Sequence, residues 1–216
     1  MFFCHTHISD QNGLTLLEAV IYCSLLFIIV LSGYKYYQVS VRQYTTESQK
    51  AALFQDLKTA VSMITKDIRI CGCDPLKKGN VGFVNETDNK DRHDTDANSI
   101  HITADLEYPW DGKASSKNET VIYFLYPQGN DLFKLGRCTG NSRRPQPVVE
   151  NIVSLNFSYY DLSGQLMSDP PLPLKSIGSV AFSISAQSQQ VNPLTKQKDM
   201  LTLQTRVWVV NNWFQK

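Results

Sequence analysis

One apolar run near the start of the chain constrains the fold more than any other feature. Residues 14–34 form a stretch of 21 residues in which Glu18 is the only charged side chain. A helix rises about 1.5 Å per residue, so this stretch would extend roughly 30 Å, the thickness of a bilayer's hydrocarbon core. A carboxylate inside such a segment costs about 3 kcal/mol on insertion scales. The run therefore predicts a membrane-spanning helix in which Glu18 has a specific role.

The remainder of the chain is polar and of moderate length. The 216 residues leave room for one spanning helix and one globular domain of ordinary size. A formal net charge of +1, with 19% charged residues, offers no basic stripe for a nucleic acid. We therefore expect a tethered protein whose partners are not nucleic acids.

The residues that lead into the apolar run form a more specific pattern. Gly13 is followed by a large apolar residue, a threonine, two further apolar residues and Glu18. Next to a spanning run, this pattern resembles the processing site of type IV pilins and type II secretion pseudopilins. The resemblance implies that prepilin peptidase cuts between Gly13 and Leu14. It also implies that Leu14, as the new N-terminal residue, is N-methylated.

The same resemblance implies a role for Glu18. In that family, the glutamate is thought to meet the N-terminal amine of a neighbouring subunit as the helices bundle in the filament core. Each charge is costly when it is buried alone, and together they specify axial register. The implied partners are other pilins or pseudopilins, prepilin peptidase and the inner membrane.

The resemblance divides the chain into four regions. These are a leader peptide (1–13), the half of the helix that spans the membrane or fills the filament core (14–34), an amphipathic second half (35–73) and a periplasmic β-rich head (74–216). The leader contains no Lys or Arg, which departs from the family's usual basic leader. The implied location is the bacterial inner membrane, with a single pass and a periplasmic head, followed by incorporation into a pilus or pseudopilus.

Helical periodicity continues beyond the apolar run. Residues 35–71 contain no Gly or Pro, and their apolar side chains recur every three or four positions. We expect one helix from about Leu14 to about Ile70, ended by Gly72 and Pro75. The first stripe on this helix is Tyr34, Tyr37, Val41 and Tyr44. A second stripe, which we expect to cover a β-sheet, is Leu53, Leu57, Ala60, Ile64 and Ile68.

The residues at the end of this helix narrow the resemblance to two groups within that family. Asp67-Ile68-Arg69 and the following Asp74-Pro75 are similar to the helix end in PilW-like minor pilins and J-type minor pseudopilins. The segments 98–106 and 148–161 follow in the order found in those proteins. The resemblance thus covers most of the chain.

Beyond Pro75 the periodicity changes to two, which is typical of strands. The predicted strands are residues 100–104, 120–126, 131–135, 155–160, 178–186 and 201–210, with a turn at 161–164 and loops at 85–98 and 169–173. The predicted fold class is therefore α+β: a type IV pilin-like long helix packed on a mostly antiparallel sheet.

Three cysteines lie outside both the leader and the membrane segment. In an oxidising periplasm, either Cys71 or Cys73 is a candidate to form a disulfide with Cys138. The remaining cysteines, Cys4 and Cys23, fall in the leader and in the apolar run.

The sequence predicts no catalytic residues, metal or cofactor. Four aspartates, Asp88, Asp91, Asp94 and Asp96, lie in one polar loop, but their spacing matches no calcium loop and two basic residues interrupt it. His93 and His101 have no nucleophile or paired acid at an informative spacing. We do not expect an enzyme.

Three hypotheses follow. The leading one is a structural minor pilin that takes part in initiation or assembly of a type IV pilus. The alternative within the same class is a minor pseudopilin of a type II secretion system. The opposing class is a signal-anchored periplasmic enzyme or binding domain. That class would need a signal peptidase site after the run, and Ser32-Gly33 is a poor one.

Overall fold

The computed structural model describes residues 15–78, 81–85, 93–140, 142 and 144–213. The chain divides into two compact units, Met1–Thr46 and Glu47–Lys216. A long helix, α1 (Leu16–Ile70), supplies residues to both units. Six strands follow: β1 (Ile100–Thr103), β2 (Thr120–Gly129), β3 (Leu132–Thr139), β4 (Gln146–Asp161), β5 (Ile177–Val191) and β6 (Lys198–Trp208). A 3₁₀ turn (Leu174–Ser176) precedes β5, and a short helix, α2 (Val210–Trp213), follows β6.

The six strands form one antiparallel sheet. They lie in the order β1-β2-β3-β4-β5-β6, so every strand pairs with its neighbours in the sequence. The connections are hairpins or longer loops on the same sheet, which explains why no crossover helix is needed. The predicted α+β architecture, a long N-terminal helix with an antiparallel sheet, is confirmed.

Helix α1 ends where the sequence predicts. Gly72 follows the last turn with a φ of 71°, a left-handed conformation that glycine adopts without penalty. Its N–H donates to the carbonyl of Thr103 in β1 at 3.0 Å. The side-chain amide of Asn211 donates to the carbonyl of Cys71 at 2.9 Å. The end of the helix is therefore tied both to the sheet and to the chain that leaves β6.

The second stripe of α1 is buried, as expected. Leu57, Ala60, Ile64 and Ile68 are fully buried, and Leu53 is nearly so. They share one apolar cluster with inward-facing residues of the sheet, among them Tyr123 and Phe182. All of these residues belong to the unit Glu47–Lys216. The core of this unit therefore lies between the helix and one face of the sheet.

Strand β4 is much longer than its predicted 155–160. It begins at Gln146, and its pairing is irregular on both sides near its middle. The pairing with β3 shifts in register opposite Phe133–Leu135, and the pairing with β5 shifts between Ile152 and Ser154. Asn151 has a φ of 58°, and its N–H donates to the side chain of Gln128 at 2.8 Å. A bulge shifts by one residue the alternation of side chains between the two faces of the sheet. The sequence before Leu155 therefore does not keep the two-residue hydrophobic period of a regular strand.

The ends of the other strands also differ from prediction: β2 and β5 run to Gly129 and Val191, beyond the predicted 126 and 186. Asn130 and Asp131 both have a positive φ and form a two-residue hairpin loop, so β3 starts at Leu132 and not at Asp131. It then continues to Thr139, beyond the predicted 135. Strand β6 runs from Lys198 to Trp208 instead of 201–210. The predicted turn at 161–164 is confirmed, with the N–H of Gly164 donating to the carbonyl of Asp161 at 3.0 Å.

Candidate functional site

The first turn of α1 contains a reciprocal cap between Thr15 and Glu18. The hydroxyl of Thr15 accepts the N–H of Glu18 at 3.3 Å, and the Glu18 carboxylate accepts the N–H of Thr15 at 3.0 Å. The Thr15 hydroxyl also donates to the same carboxylate oxygen at 3.1 Å. This is a capping box, in which each side chain satisfies an N–H that the helix leaves unpaired. The acidic group also lies at the positive end of the helix dipole.

In the sequence, the capping box follows the predicted processing site. Gly13 and Leu14 themselves lie outside the described residues, so the cut and the methylation remain predictions. Thr15 is the residue after Leu14 in the sequence. In the sequence, a terminal amine on Leu14 would therefore be two residues before the start of α1.

The part of α1 in the first unit exposes apolar side chains on all sides. Leu16 is 85% exposed and Ile29 is 71% exposed, and Phe27 and Leu26 are similarly open. Among the described residues, α1 is the single helix that is long and apolar enough to cross a membrane. Side chains that are uncovered within the chain itself in this way are compatible with a membrane-anchored protein.

Two serine hydroxyls in this part of the helix donate to carbonyls of the preceding turn. The hydroxyl of Ser24 donates to the carbonyl of Ile21 at 2.8 Å, and that of Ser32 donates to the carbonyl of Ile28 at 2.7 Å. Such bonds remove the cost of placing a free hydroxyl in hydrocarbon. Tyr34 and Tyr37, both largely exposed, flank the end of the run, as aromatic residues do at a membrane interface.

A polar cluster between helix and sheet was not anticipated from the sequence. Asp67 of α1 accepts a hydrogen bond from the hydroxyl of Tyr123 in β2 at 2.6 Å and one from Nε of Arg137 in β3 at 3.1 Å. Asp67 is nearly buried, and Arg137 is partly so. The signal was present in the sequence: a carboxylate adjoins Ile64 and Ile68 on the buried stripe, where an unpaired charge would be costly.

The loop between β1 and β2 is organised by Glu119. Its carboxylate accepts the N–H groups of Leu106, Glu107, Ser115 and Ser116 at 2.7–3.0 Å. Burial alone would raise the pKa of Glu119, but these four donors stabilise the anion and hold its pKa below the ordinary value. The loop is therefore fixed, and it exposes Tyr108 and Trp110, whose rings meet edge to face with centroids 6.0 Å apart.

The candidate disulfide is not present in the structure, in which Cys71, Cys73 and Cys138 are free thiols. Cys138 is adjacent in β3 to Arg137, whose side chain reaches Asp67 of the helix. Successive strand residues face opposite sides, so Cys138 points away from the helix, whereas Cys71 lies in the core beneath it. Burial raises the pKa of both Cys71 and Cys138, which keeps these thiols protonated and unreactive.

The remaining candidates do not form a reactive site among the described residues. Asp88 and Asp91 lie outside those residues, and the carboxylate of Asp96 caps the N–H groups of Asn98 and Ser99 at 2.7 Å each. His93 stacks on Phe124 with ring centroids 3.8 Å apart. In the described ranges, no group of three or more His, Cys, Asp or Glu side chains could hold a metal ion.

Comparison with known proteins finds a structural similarity at low sequence identity. No protein-family model matches this chain. No curated protein matches it either. Among solved structures, the chain is similar to a type IV-like pilin from Thermus thermophilus, with a TM-score of 0.42 and 9% sequence identity over 74% of this chain and 97% of that one. The functional interpretation therefore rests on the N-terminal motif and on the described geometry.

Proposed function

We propose that this protein is a minor pilin, a structural subunit that takes part in initiation or assembly of a type IV pilus. Before assembly it is held in the bacterial inner membrane by the apolar part of α1, with its β-rich head in the periplasm. Prepilin peptidase removes residues 1–13 and methylates Leu14. The mature helix then packs among the helices of other pilins.

The observation that carries this proposal is the position of Glu18. The residue lies in the first turn of α1, held by Thr15, and every turn that follows for the next 16 residues is apolar and exposed. A carboxylate at the tip of an apolar helix is costly in a membrane unless a cation meets it. The free amine that processing would create on a neighbouring subunit supplies such a cation.

The division of α1 between the two units supports the same proposal. Residues 47–70 are needed to complete the core of the head, whereas the apolar turns before Thr46 have no core of their own. A signal-anchored enzyme would need its helix only as a tether. Here one helix provides both an assembly surface and a core element.

The mass of the mature protein tests the processing step. The wild-type protein is expected to lose residues 1–13 and to gain one methyl group on Leu14. Gly13→Val should leave the uncleaved precursor, because a branched side chain obstructs the peptidase's approach to the backbone. Gly33→Val is the matched control: a Cβ at Gly33 meets nothing within 4 Å, so that variant should mature normally. Normal maturation of Gly13→Val would contradict the proposal.

A deletion strain tests which filament the protein serves. Loss of surface pili with intact protein secretion is expected. Loss of secretion with intact pili would instead assign the protein to a type II secretion pseudopilus. An unchanged number of surface pili together with unchanged protein secretion would exclude an assembly role.

A further inference from the structure

The helix turns that follow the apolar run of α1 combine exposed aromatic rings with positive charge. Residues 34–44, which form the interfacial band, include four tyrosines among 11 residues. All four side chains are largely exposed: Tyr34 (59%), Tyr36 (78%), Tyr37 (65%) and Tyr44 (77%). Tyrosine combines an apolar ring with a polar hydroxyl, and it is enriched where a spanning helix leaves the hydrocarbon. The band therefore has the composition of a segment at a membrane surface.

Two cations lie within the interfacial band. Lys35 and Arg42 are exposed, and they are the only charged residues in the range 19–46. They are seven residues apart, which places them on one face of the helix, about two turns and about 10 Å from each other. Neither of the two ion pairs in the described part of the chain involves them. The band thus has two positive charges on one face and no acidic residue of its own to neutralise them.

The location of these two cations requires a specific partner. In the proposed orientation, this end of the apolar run faces the periplasm, where the positive-inside rule makes Lys and Arg less common. Lys35 would also lie directly beside the hydrocarbon, where an ion without a partner is costly. Long side chains at the end of a spanning helix extend outward into the polar layer of the membrane. A negatively charged group in that layer would give both cations a partner.

We propose that the interfacial band binds the headgroups of anionic phospholipids, with Lys35 and Arg42 on lipid phosphates and the tyrosine rings between the headgroups. This inference rests on the membrane-held stage of the proposed function. The guanidinium of Arg42 matches a phosphate with two parallel hydrogen bonds, whereas the ammonium of Lys35 acts as a compact charge. Each such cation near an anionic membrane surface strengthens the attraction about fivefold.

A second copy of α1 fits the interfacial band less well than lipid does. A parallel copy in the same register would place residues 34–44 of one helix against residues 34–44 of the other. At this level the second helix supplies two further cations and no carboxylate, and like charges repel. Lipid headgroups supply the missing negative charge, and they adjoin the hydrocarbon that would cover the apolar run. Charge therefore favours the membrane surface as the occupant.

Lipid retention by the full-length protein tests the inference. The protein is extracted into a mild detergent that contains equal amounts of phosphatidylglycerol and phosphatidylcholine, and the copurifying lipids are quantified by mass spectrometry. We expect the wild-type protein to retain phosphatidylglycerol at least about fivefold over phosphatidylcholine. The double variant Lys35→Gln, Arg42→Gln should retain the two lipids equally, and retention of phosphatidylglycerol at the wild-type ratio would overturn the inference.

A second double variant is the matched control. Lys58 and Lys66 are exposed cations on the same helix, but they belong to the unit Glu47–Lys216. Lys58→Gln with Lys66→Gln should therefore keep the wild-type lipid preference. An equal loss of preference in this control would assign the effect to overall charge and overturn the interfacial band as the site.

The remaining outcomes separate this inference from the proposed function. Equal retention of both lipids by the wild-type protein would overturn the inference and leave the proposed function intact, because filament assembly requires no particular headgroup. Absence of the wild-type protein from the membrane fraction would overturn the proposed function and this inference with it. Disulfide-linked dimers of Lys35→Cys in membranes, in excess of those of the wild-type protein, would show that a second copy lies at the band and would overturn lipid as the occupant.

Discussion

The hydroxyl of Tyr123 donates a hydrogen bond of 2.6 Å to Oδ2 of Asp67, and this bond connects strand β2 to the long helix. Burial raises the pKa of Tyr123, and the negative charge of Asp67 raises it further, so the phenol remains a donor at every physiological pH. Nη2 of Arg137 lies 3.1 Å from the same oxygen and neutralises the carboxylate. The rotation of α1 on the sheet is thereby fixed by a directional contact as well as by apolar packing.

Asp67→Asn should destabilise the head. It removes the charge that both Tyr123 and Arg137 meet, so we expect the free energy of unfolding to fall by about 2 kcal/mol. Urea denaturation of the detergent-solubilised protein measures the change. Asp56→Asn is the control on the same helix, because Asp56 is exposed and should change stability by less than about 0.5 kcal/mol. Equal stability of the two variants would show that the cluster adds nothing to the fold.

The bonds to Glu119 predict a pH dependence. Because its pKa is lower in the folded protein than the ordinary 4.5, its stabilisation is fully present above pH 4.5 and is lost as the pH falls through the folded pKa. Glu119→Gln should therefore cost about 2 kcal/mol at pH 7 and progressively less below pH 4.5. Melting temperatures measured across this range, with exposed Glu107→Gln as the control, check the trend. A difference that stays constant with pH would contradict the assignment.

Elements whose apolar residues keep one periodicity along their whole length were predictable from the sequence. Strand β2 begins at Thr120 and α1 ends at Ile70, as the patterns indicate, because local propensity and burial agree there. The first half of β4 was missed, since the bulge at Asn151 depends on a partner in β2, Gln128, that lies 23 positions away. A long-range contact of this kind leaves no local trace in the sequence.

The candidate site was predictable in its residues but not in its geometry. The sequence identified Glu18 through its neighbours, yet the same residues also read as a capping box, Thr-x-x-Glu, at the start of an apolar run. The role of Asp67 required knowledge of which strands lie under the helix. The free thiols depend on the face to which Cys138 points, which is set by the register of β3.

Glu18 has two separable roles, and three substitutions distinguish them. Glu18→Ala removes both the cap and the charge, whereas Glu18→Gln removes the charge and keeps a side chain that can complete a capping box. Thr15→Ala weakens the cap and keeps the charge. If Glu18 meets the amine of a neighbouring subunit, both Glu18 variants should reach the membrane but be depleted from filaments.

The comparison of these variants is made by quantifying each one in membranes and in purified filaments. We expect Thr15→Ala to assemble nearly as well as wild type, because losing a cap costs only about 1 kcal/mol. Normal assembly of Glu18→Gln together with poor assembly of Thr15→Ala would assign Glu18 to helix capping alone.

Leu57 tests how much the helix contributes to the core. It is fully buried in the cluster shared with the sheet, so Leu57→Ala should cost about 2–5 kcal/mol through lost transfer free energy and a residual cavity. Phe54 is a larger residue in the same turn but is 47% exposed. Phe54→Ala should therefore cost much less, although it removes more atoms. Chemical denaturation of both variants shows whether the burial or the size of the removed side chain determines the loss of unfolding free energy.

Truncation tests whether residues 47–70 belong to the head as a folding unit. A chain that begins at Glu47 starts at the boundary between the two compact units and keeps the whole stripe from Leu53 to Ile68. It should be soluble and melt cooperatively, because the apolar face of the sheet remains covered. A chain that begins at Asp74 loses both the stripe and Asp67, which leaves that face open and Arg137 without its carboxylate. It should aggregate, as an uncovered apolar face of this kind does. Equal solubility and melting of the two chains would show that the sheet folds without α1, and the stripe would then have to serve a contact between subunits.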